Sequence, residues 1–195
     1  MKVLKISKNL EKAIEEATEF IKKEKVIVCP TDTVYGLIAD AKNKRTVNKI
    51  FKIKKRKKEN PIPIFVKDLK MAKKIAFINK RQEKFLKKIW PGKVTAILKA
   101  KDKDFPKGII KDRKIGIRIP KHKFLDRLLK ELKMPLAQTS ANISGNPTPQ
   151  NVQGILKEFK DKKFQPDLIL DEGKLGKKPS VVLDLTQEPP KVLRF

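Results

Sequence analysis

Cysteine, histidine, tryptophan and tyrosine each occur once in this 195-residue chain. The lone Cys29 excludes an internal disulfide framework. The lone His122 excludes a cluster of imidazole metal ligands and leaves one candidate for histidine acid–base work. No Walker-type glycine loop, dinucleotide fingerprint, Ser-His-Asp order or carboxylate cluster for two metal ions is present. No apolar run approaches the roughly 18 residues of a membrane span. The segment Met1 to Ile6 alternates like a strand and has no signal-peptide apolar region, so a reducing cytoplasm is the expected compartment. An enzyme built from this inventory works by positioning and cationic stabilisation, not through a strong internal nucleophile.

Carboxylates are also few. There are 22 Asp and Glu against 49 Lys and Arg, a net charge of +27, and only seven of those cations are arginine. The excess runs through the whole chain. Two origins fit it: a polyanionic partner, or the lysine-rich surface that thermophile proteins also carry. RNA-recognition signatures are missing, with no RNP-type aromatic run, no GXXG clamp and no zinc knuckle.

Short apolar runs alternate with amphipathic stretches from end to end. Helical spacing marks residues 9–25, 46–55, 81–90, 124–132 and 152–159. Strand patterns mark 26–29, 61–66, 94–98, 115–119, 135–139, 168–170, 181–185 and 192–193. The pattern predicts an α/β or mixed α+β chain built on a twisted sheet. No repeat, low-complexity tract or linker divides it, so a single domain over residues 1–195 is expected. Stretches 102–113 and 173–179 read as mobile surface loops.

Four places concentrate polar chemistry. The loop Thr139-Ser140-Ala141-Asn142-Ile143-Ser144-Gly145-Asn146-Pro147-Thr148-Pro149 follows a buried strand and is rich in donors and free of carboxylates, which suits an anion; an ordinary turn-rich loop has the same composition. Lys54 follows Ile50 and Phe51 at helical spacing and so extends an apolar stripe, while Arg56 leaves the helix ahead of Asn60-Pro61. The segment Thr31-Asp32-Thr33-Val34-Tyr35-Gly36 follows a buried strand, where open α/β sheets bind ligands. In Ile115-Gly116-Ile117-Arg118-Ile119, Gly116 and Arg118 share one face, and the bare glycine leaves room beside the arginine.

Together these strings resemble the threonylcarbamoyl-AMP synthase family, the YrdC-like domain, in its short single-domain form. The resemblance rests on Pro30-Thr31-Asp32-Thr33-Val34-Tyr35-Gly36-Leu37, Lys54-x-Arg56 with Asn60-Pro61, and Trp90-Pro91-Gly92-Lys93-Val94-Thr95. It continues through Ile117-Arg118-Ile119-Pro120, Thr139-Ser140-Ala141-Asn142-x-Ser144-Gly145, Pro179-Ser180-Val181-Val182-x-Asp184 and Leu193-Arg194.

The resemblance implies a twisted, mixed open sheet with flanking helices and a basic concave face. It implies a nucleotidyltransferase that turns L-threonine, bicarbonate and ATP into threonylcarbamoyl-AMP and pyrophosphate, with Mg2+ carried on the ATP phosphates. The product would serve N6-threonylcarbamoyladenosine formation at tRNA position 37, with transferase-complex proteins downstream. Residue by residue, Lys54, Arg56, Ser140 and Asn142 match the catalytic tetrad. Arg56, Asn60, Lys114, Ser140, Thr148 and Arg194 match ATP-binding positions, and Thr33, Arg118, Gln138 and Ser180 match positions around L-threonine. Phe65 stands where some members carry histidine. The alternative from another class is a non-catalytic binder of tRNA or double-stranded RNA, or a ribosome-assembly factor. A carbamoyl-adenylate step like that of hydrogenase-maturation proteins would call for zinc-finger and acylphosphatase-like modules that are not in this sequence.

Overall fold

A computed structural model describes residues 1–176 and 178–194. Its strands are β1 (Lys2–Lys5), β2 (Ile27–Cys29), β3 (Gly36–Asp40), β4 (Ile64–Phe65), β5 (Ala76–Phe77), β6 (Val94–Ala100), β7 (Ile110–Lys111), β8 (Lys114–Arg118), β9 (Leu136–Ser140), β10 (Leu168–Asp171), β11 (Val181–Asp184) and β12 (Lys191–Arg194). Its helices are α1 (Leu10–Lys22), α2 (Lys44–Lys54), α3 (Leu69–Ile75), α4 (Lys80–Ile89), α5 (Lys123–Leu132) and α6 (Val152–Phe159). Among the described residues, no helix is long and apolar enough to cross a membrane.

The strands join one mixed sheet in the order β1-β10-β2-β3-β9-β4-β8-β6-β11-β12, with β5 added to β6 and β7 to β8. Alternation of side chains along these strands gives the sheet two chemically different sides. One side presents Val26, Val28, Leu37, Ala39, Ile64, Ala96, Leu98, Ile115, Ile117 and Ala137, and α2, α3, α4 and α6 pack on it. The other side presents Ile27, Cys29, Ile38, Phe65, Leu136, Leu168 and Leu170 to α1 and α5. Those two helices roof only the half built from β10, β2, β3, β9 and β4. Past β4, on β8, β6, β11 and β12, the same side is open. There it carries Gly116, Arg118, Thr95, Ile97, Ser180, Val182 and Arg194.

Local chemistry sets the element ends. Asn9, Asn43, Asp68, Asn79 and Asn151 each cap a helix by accepting a backbone N–H, and Asn79 with Gln82 forms a reciprocal capping box. The strand expected over 61–66 contracts to Ile64–Phe65, because Pro61 and Pro63 lack the N–H that a ladder needs. The stretch 102–113 is more anchored than its composition suggests. Ile109 is buried, and Asp112 and Arg113, at φ 51 and 57, turn β7 tightly into β8. Helix α3 was not anticipated, being only seven residues long. Of the other expected loop, 173–179, Lys177 lies outside the described residues.

Candidate active site

The border where the α1/α5 roof stops is a cavity of about 250 Å³, lined by residues from several strands and the loops that follow them. Its centre is Arg118, the last residue of β8, only 2% exposed. Burying a guanidinium requires partners for its donors. Nε donates to the Gly92 carbonyl at 3.0 Å, Nη1 to Thr33 Oγ1 at 3.3 Å, and Nη2 to Asp32 Oδ1 in a buried ion pair. The other Asp32 oxygen accepts the Lys121 backbone N–H at 3.1 Å. Arginine has five N–H donors. Three are spent, so one N–H remains on each terminal nitrogen for a ligand. Under the guanidinium lies the Phe65 ring, 5.5 Å from ring centroid to Cζ.

Beside Arg118, Pro63 and Ile97 close directly over Gly116. A Cβ on Gly116 would sit 2.9 Å from Pro63 Cβ and 3.3 Å from Ile97 Cδ1. Small hydroxyls flank this space. Thr33 bonds Thr31 Oγ1 at 2.9 Å, and Ser180 bonds Thr95 Oγ1 at 3.0 Å. Gln138 on β9 also lines the cavity.

Two further guanidiniums face the same cavity. Arg194 on β12 donates from Nη2 to the Ser180 carbonyl at 2.8 Å and to Ser180 Oγ at 3.1 Å. Arg56, in the loop after α2, donates to the carbonyls of Asn60 at 2.8 Å and Pro61 at 3.1 Å. Burial lowers the pKa of both arginines, and the charge of Arg194 lowers that of Arg56 further. Among the described residues, the one carboxylate hydrogen-bonded to these three cations is Asp32, spent on Arg118 and Lys121. Cations brought together without counter-charge make a site for an anionic ligand.

Lys54 ends α2 with its side chain buried, as its place on the apolar stripe predicts. Its Nζ donates to the Ser140 carbonyl at 2.7 Å, the Asn142 carbonyl at 2.8 Å and Asn142 Oδ1 at 3.0 Å. Ser140 Oγ donates to the same Oδ1 at 2.6 Å, and Asn142 Nδ2 to the Asn146 carbonyl at 2.5 Å. Burial and then the charge of Arg56 push the Lys54 pKa down to about 7, whereas the four oxygens around Nζ, Ser140 Oγ at 3.4 Å among them, favour the ammonium. Lys54 is therefore a clamp behind the 140–142 loop, and Ser140 is the member of that loop on the cavity wall.

Thr33, Arg56, Arg118, Gln138, Ser140, Ser180 and Arg194 thus converge on one cavity. Besides Lys54, four expected residues lie off its wall. Asn142 stands behind Ser140. Asn60 contributes its carbonyl to Arg56. Thr148 is half-buried further along the loop. Lys114, two residues before Gly116 on the same face, is held by Asp184 at 2.9 Å, and that carboxylate takes the charge it would offer a ligand. Sequence reasoning passed over Asp32, Gly92 and Thr95 as individual groups, although each lies in a motif it singled out. Among the described residues, no three His, Cys, Asp or Glu side chains gather into a metal site. The residues here do not fit a protein-bound metal ion.

Comparison with known proteins bears on the family and the fold. Residues 19–195 match the Sua5/YciO/YrdC family model, described as "Telomere recombination". A Methanocaldococcus jannaschii protein is 38% identical over 193 residues, covering 96% of this chain and 89% of that one. The threonylcarbamoyl-AMP synthase of Pyrococcus abyssi is 34% identical over 195 residues, covering 95% of this chain but 56% of that protein. The crystal structure of P. abyssi Sua5 complexed with L-threonine superposes with a TM-score of 0.88 at 31% identity, over 99% of this chain and 56% of that one. This chain therefore spans about half the length of that relative. By sequence and fold, the chain belongs to the Sua5/YciO/YrdC family.

Proposed function

We propose that this chain is an L-threonylcarbamoyladenylate synthase, a nucleotidyltransferase acting on L-threonine, bicarbonate and ATP. The observation that carries the reading is the convergence of Arg56, Arg118 and Arg194 on one small cavity with a single carboxylate among them. An amino acid and a nucleoside triphosphate meeting there present a carboxylate and a phosphate chain, the two anions that guanidinium forks bind best.

The threonine carboxylate takes the two free N–H groups of Arg118, and the hydroxyls of Thr33 and Ser180 flank it. The threonine nitrogen bonds to the bicarbonate carbon and water leaves, giving N-carboxy-threonine. A carbamate oxygen then bonds to the α-phosphorus of ATP. The bond from that phosphorus to the bridging oxygen breaks, and pyrophosphate leaves with the electron pair. Arg56 and Arg194 lie where charge builds up on the phosphates, a role of positioning and electrostatic stabilisation. Lys54 acts through the Ser140–Asn142 loop, whose shape it fixes. Mg2+ enters as part of the Mg·ATP substrate. The adenylate is the activated donor for tRNA adenosine 37, and its transfer falls to partner proteins. A purely RNA-binding role gives no reason for a clamped loop and three guanidiniums around so small a cavity.

The test is direct. The purified protein, incubated with Mg·ATP, bicarbonate and L-threonine, should release pyrophosphate and form an adenylate only when both threonine and bicarbonate are present. Pyrophosphate release indifferent to either one would overturn the reading.

A further inference from the structure

Tyr35 is the one tyrosine of the chain, and it is completely buried. Its ring packs in the larger core cluster, and a hydroxyl buried there needs partners. They come from the backbone just past β10. The hydroxyl donates to the Gly173 carbonyl at 2.7 Å and accepts the Glu172 N–H at 3.0 Å. Between these contacts the chain turns through Gly173 at φ 85, a conformation that glycine adopts without strain. Burial pushes the phenol pKa up to about 12, so the group stays protonated and acts as a fastening, not as an acid or base. On the other side of the same turn, Glu172 meets His122 at 2.8 Å, but that carboxylate is exposed and such a pair contributes little.

The connection that Tyr35 fastens leads from β10 to β11, which stand seven strand spacings apart in the sheet order. That is about 34 Å along a flat sheet, and the ten steps from Asp171 to Val181 reach about 33–36 Å at full extension. A connection with so little slack depends on its few fastenings for its position. Its described residues pass the cavity. The Leu175 N–H bonds the Gln150 carbonyl at 2.8 Å. A Cβ on Gly176 would lie 3.6 Å from the Thr33 carbonyl oxygen. Pro179 and Ser180 line the cavity itself. Thr33 stands two residues before Tyr35, and the Tyr35 carbonyl accepts the Ala141 N–H at 2.8 Å. One residue thus joins three segments that build the cavity wall: the 31–36 loop, the 140–142 loop and the connection that ends in Ser180. We propose that Tyr35 is a positioning residue whose hydroxyl holds the 172–180 connection against the rim of the cavity, and so fixes the separation of Thr33 and Ser180 around the ligand site of Arg118. The effect on threonine rests on the synthase reading; the fastening itself does not.

The test compares Tyr35→Phe with Thr46→Val. Each removes one buried hydroxyl that bonds the backbone, but Thr46 ties Asp40 and Asn43 at the start of α2 and does not line the cavity. Two quantities are measured well below the melting temperature of either variant. One is the rate of pyrophosphate release at varied L-threonine with saturating Mg·ATP and bicarbonate. The other is trypsin cleavage of the folded protein after Lys174, an exposed lysine of the connection, followed by mass spectrometry. Tyr35→Phe should raise the KM for threonine at least about fivefold, the effect of two lost hydrogen bonds, and keep kcat within about twofold. It should also speed cleavage after Lys174 at least about fivefold, because the segment opens locally without global unfolding. Thr46→Val should change KM and cleavage by less than about twofold, since a loss of stability alone moves neither below the melting range. An unchanged KM in Tyr35→Phe would overturn the proposal, whether or not cleavage speeds up. Unchanged cleavage would overturn it too, as would an equal rise in KM in both variants. If Tyr35→Phe does not fold, Gly173→Ala, which strains the turn instead of removing its fastening, carries the same expectations. An absence of adenylate formation by the wild-type protein would count against the synthase reading, and the cleavage comparison would then decide by itself whether Tyr35 holds the connection.

Discussion

Replacing Asp32 by asparagine separates folding from substrate binding at the centre of the site. Arg118 is buried, Asp32 is its one carboxylate partner among the described residues, and Arg194 adds positive charge to its surroundings. Breaking a buried pair by neutralising one member leaves an uncompensated charge and costs about 3–5 kcal/mol. Asparagine keeps an oxygen for the Lys121 N–H, so the lower figure applies. In a chain of this length each kcal/mol moves the melting temperature by about 2–4 °C, so the variant should melt about 6–12 °C below wild type. A ligand carboxylate on the free fork of Arg118 would restore the lost charge. L-Threonine should therefore raise the melting temperature of Asp32→Asn more than that of wild type, while L-threoninol, which has no carboxylate, should help neither. Thermal unfolding by circular dichroism with each additive reads this out. A variant that melts like wild type would show that Arg118 does not depend on Asp32. A rescue by threonine no greater than in wild type would refute the placement of the substrate carboxylate on Arg118.

Lys54→Met keeps the buried stem but removes the ammonium that ties the Ser140 and Asn142 carbonyls and Asn142 Oδ1 together; adenylate formation should fall at least about 10²-fold, and a wild-type rate would refute the clamp. Stability should separate these two proteins as a function of pH. The Lys54 pKa lies near 7 in the folded protein, below its value of 10.5 in the unfolded chain. The unfolded state therefore binds the extra proton across that window, and wild type gains stability relative to Lys54→Met as pH rises from about 7 towards 10. Urea unfolding of both proteins at the two ends of the window checks the sign, and a constant difference would show that Lys54 does not titrate there. Gly116→Ala drives a methyl towards Pro63 Cβ and Ile97 Cδ1, so it should raise the KM for threonine by about tenfold or more, an over-packing effect of about 1–3 kcal/mol. An unchanged KM would mean that the substrate does not use this floor.

The sequence by itself determined whatever depends on neighbours a few residues apart. The alternation around Arg118 put Ile115, Ile117 and Ile119 in the core and left Gly116 and Arg118 facing the cavity. Helical spacing put Lys54 on the buried stripe of α2. Short apolar runs marked most strands, because a buried strand needs only a few consecutive side chains to declare itself. Helix α3 escaped because seven residues give too few turns for a periodicity, and its clearest signal is the cap at Asp68. Contacts across the chain were out of reach of any such pattern. Asp32 meets Arg118 over 86 residues and Lys54 meets Asn142 over 88. Nothing local tells a buried aspartate that balances an arginine from one that ends a turn. Lys114 matched an ATP-binding position by resemblance, and the register of β11 against β6 brings Asp184 to it. The resemblance nominated the candidate residues, and the tertiary structure sorted those on the cavity wall from those behind it. That division follows from where the α1/α5 roof ends, a boundary set by the packing of two helices on half a sheet.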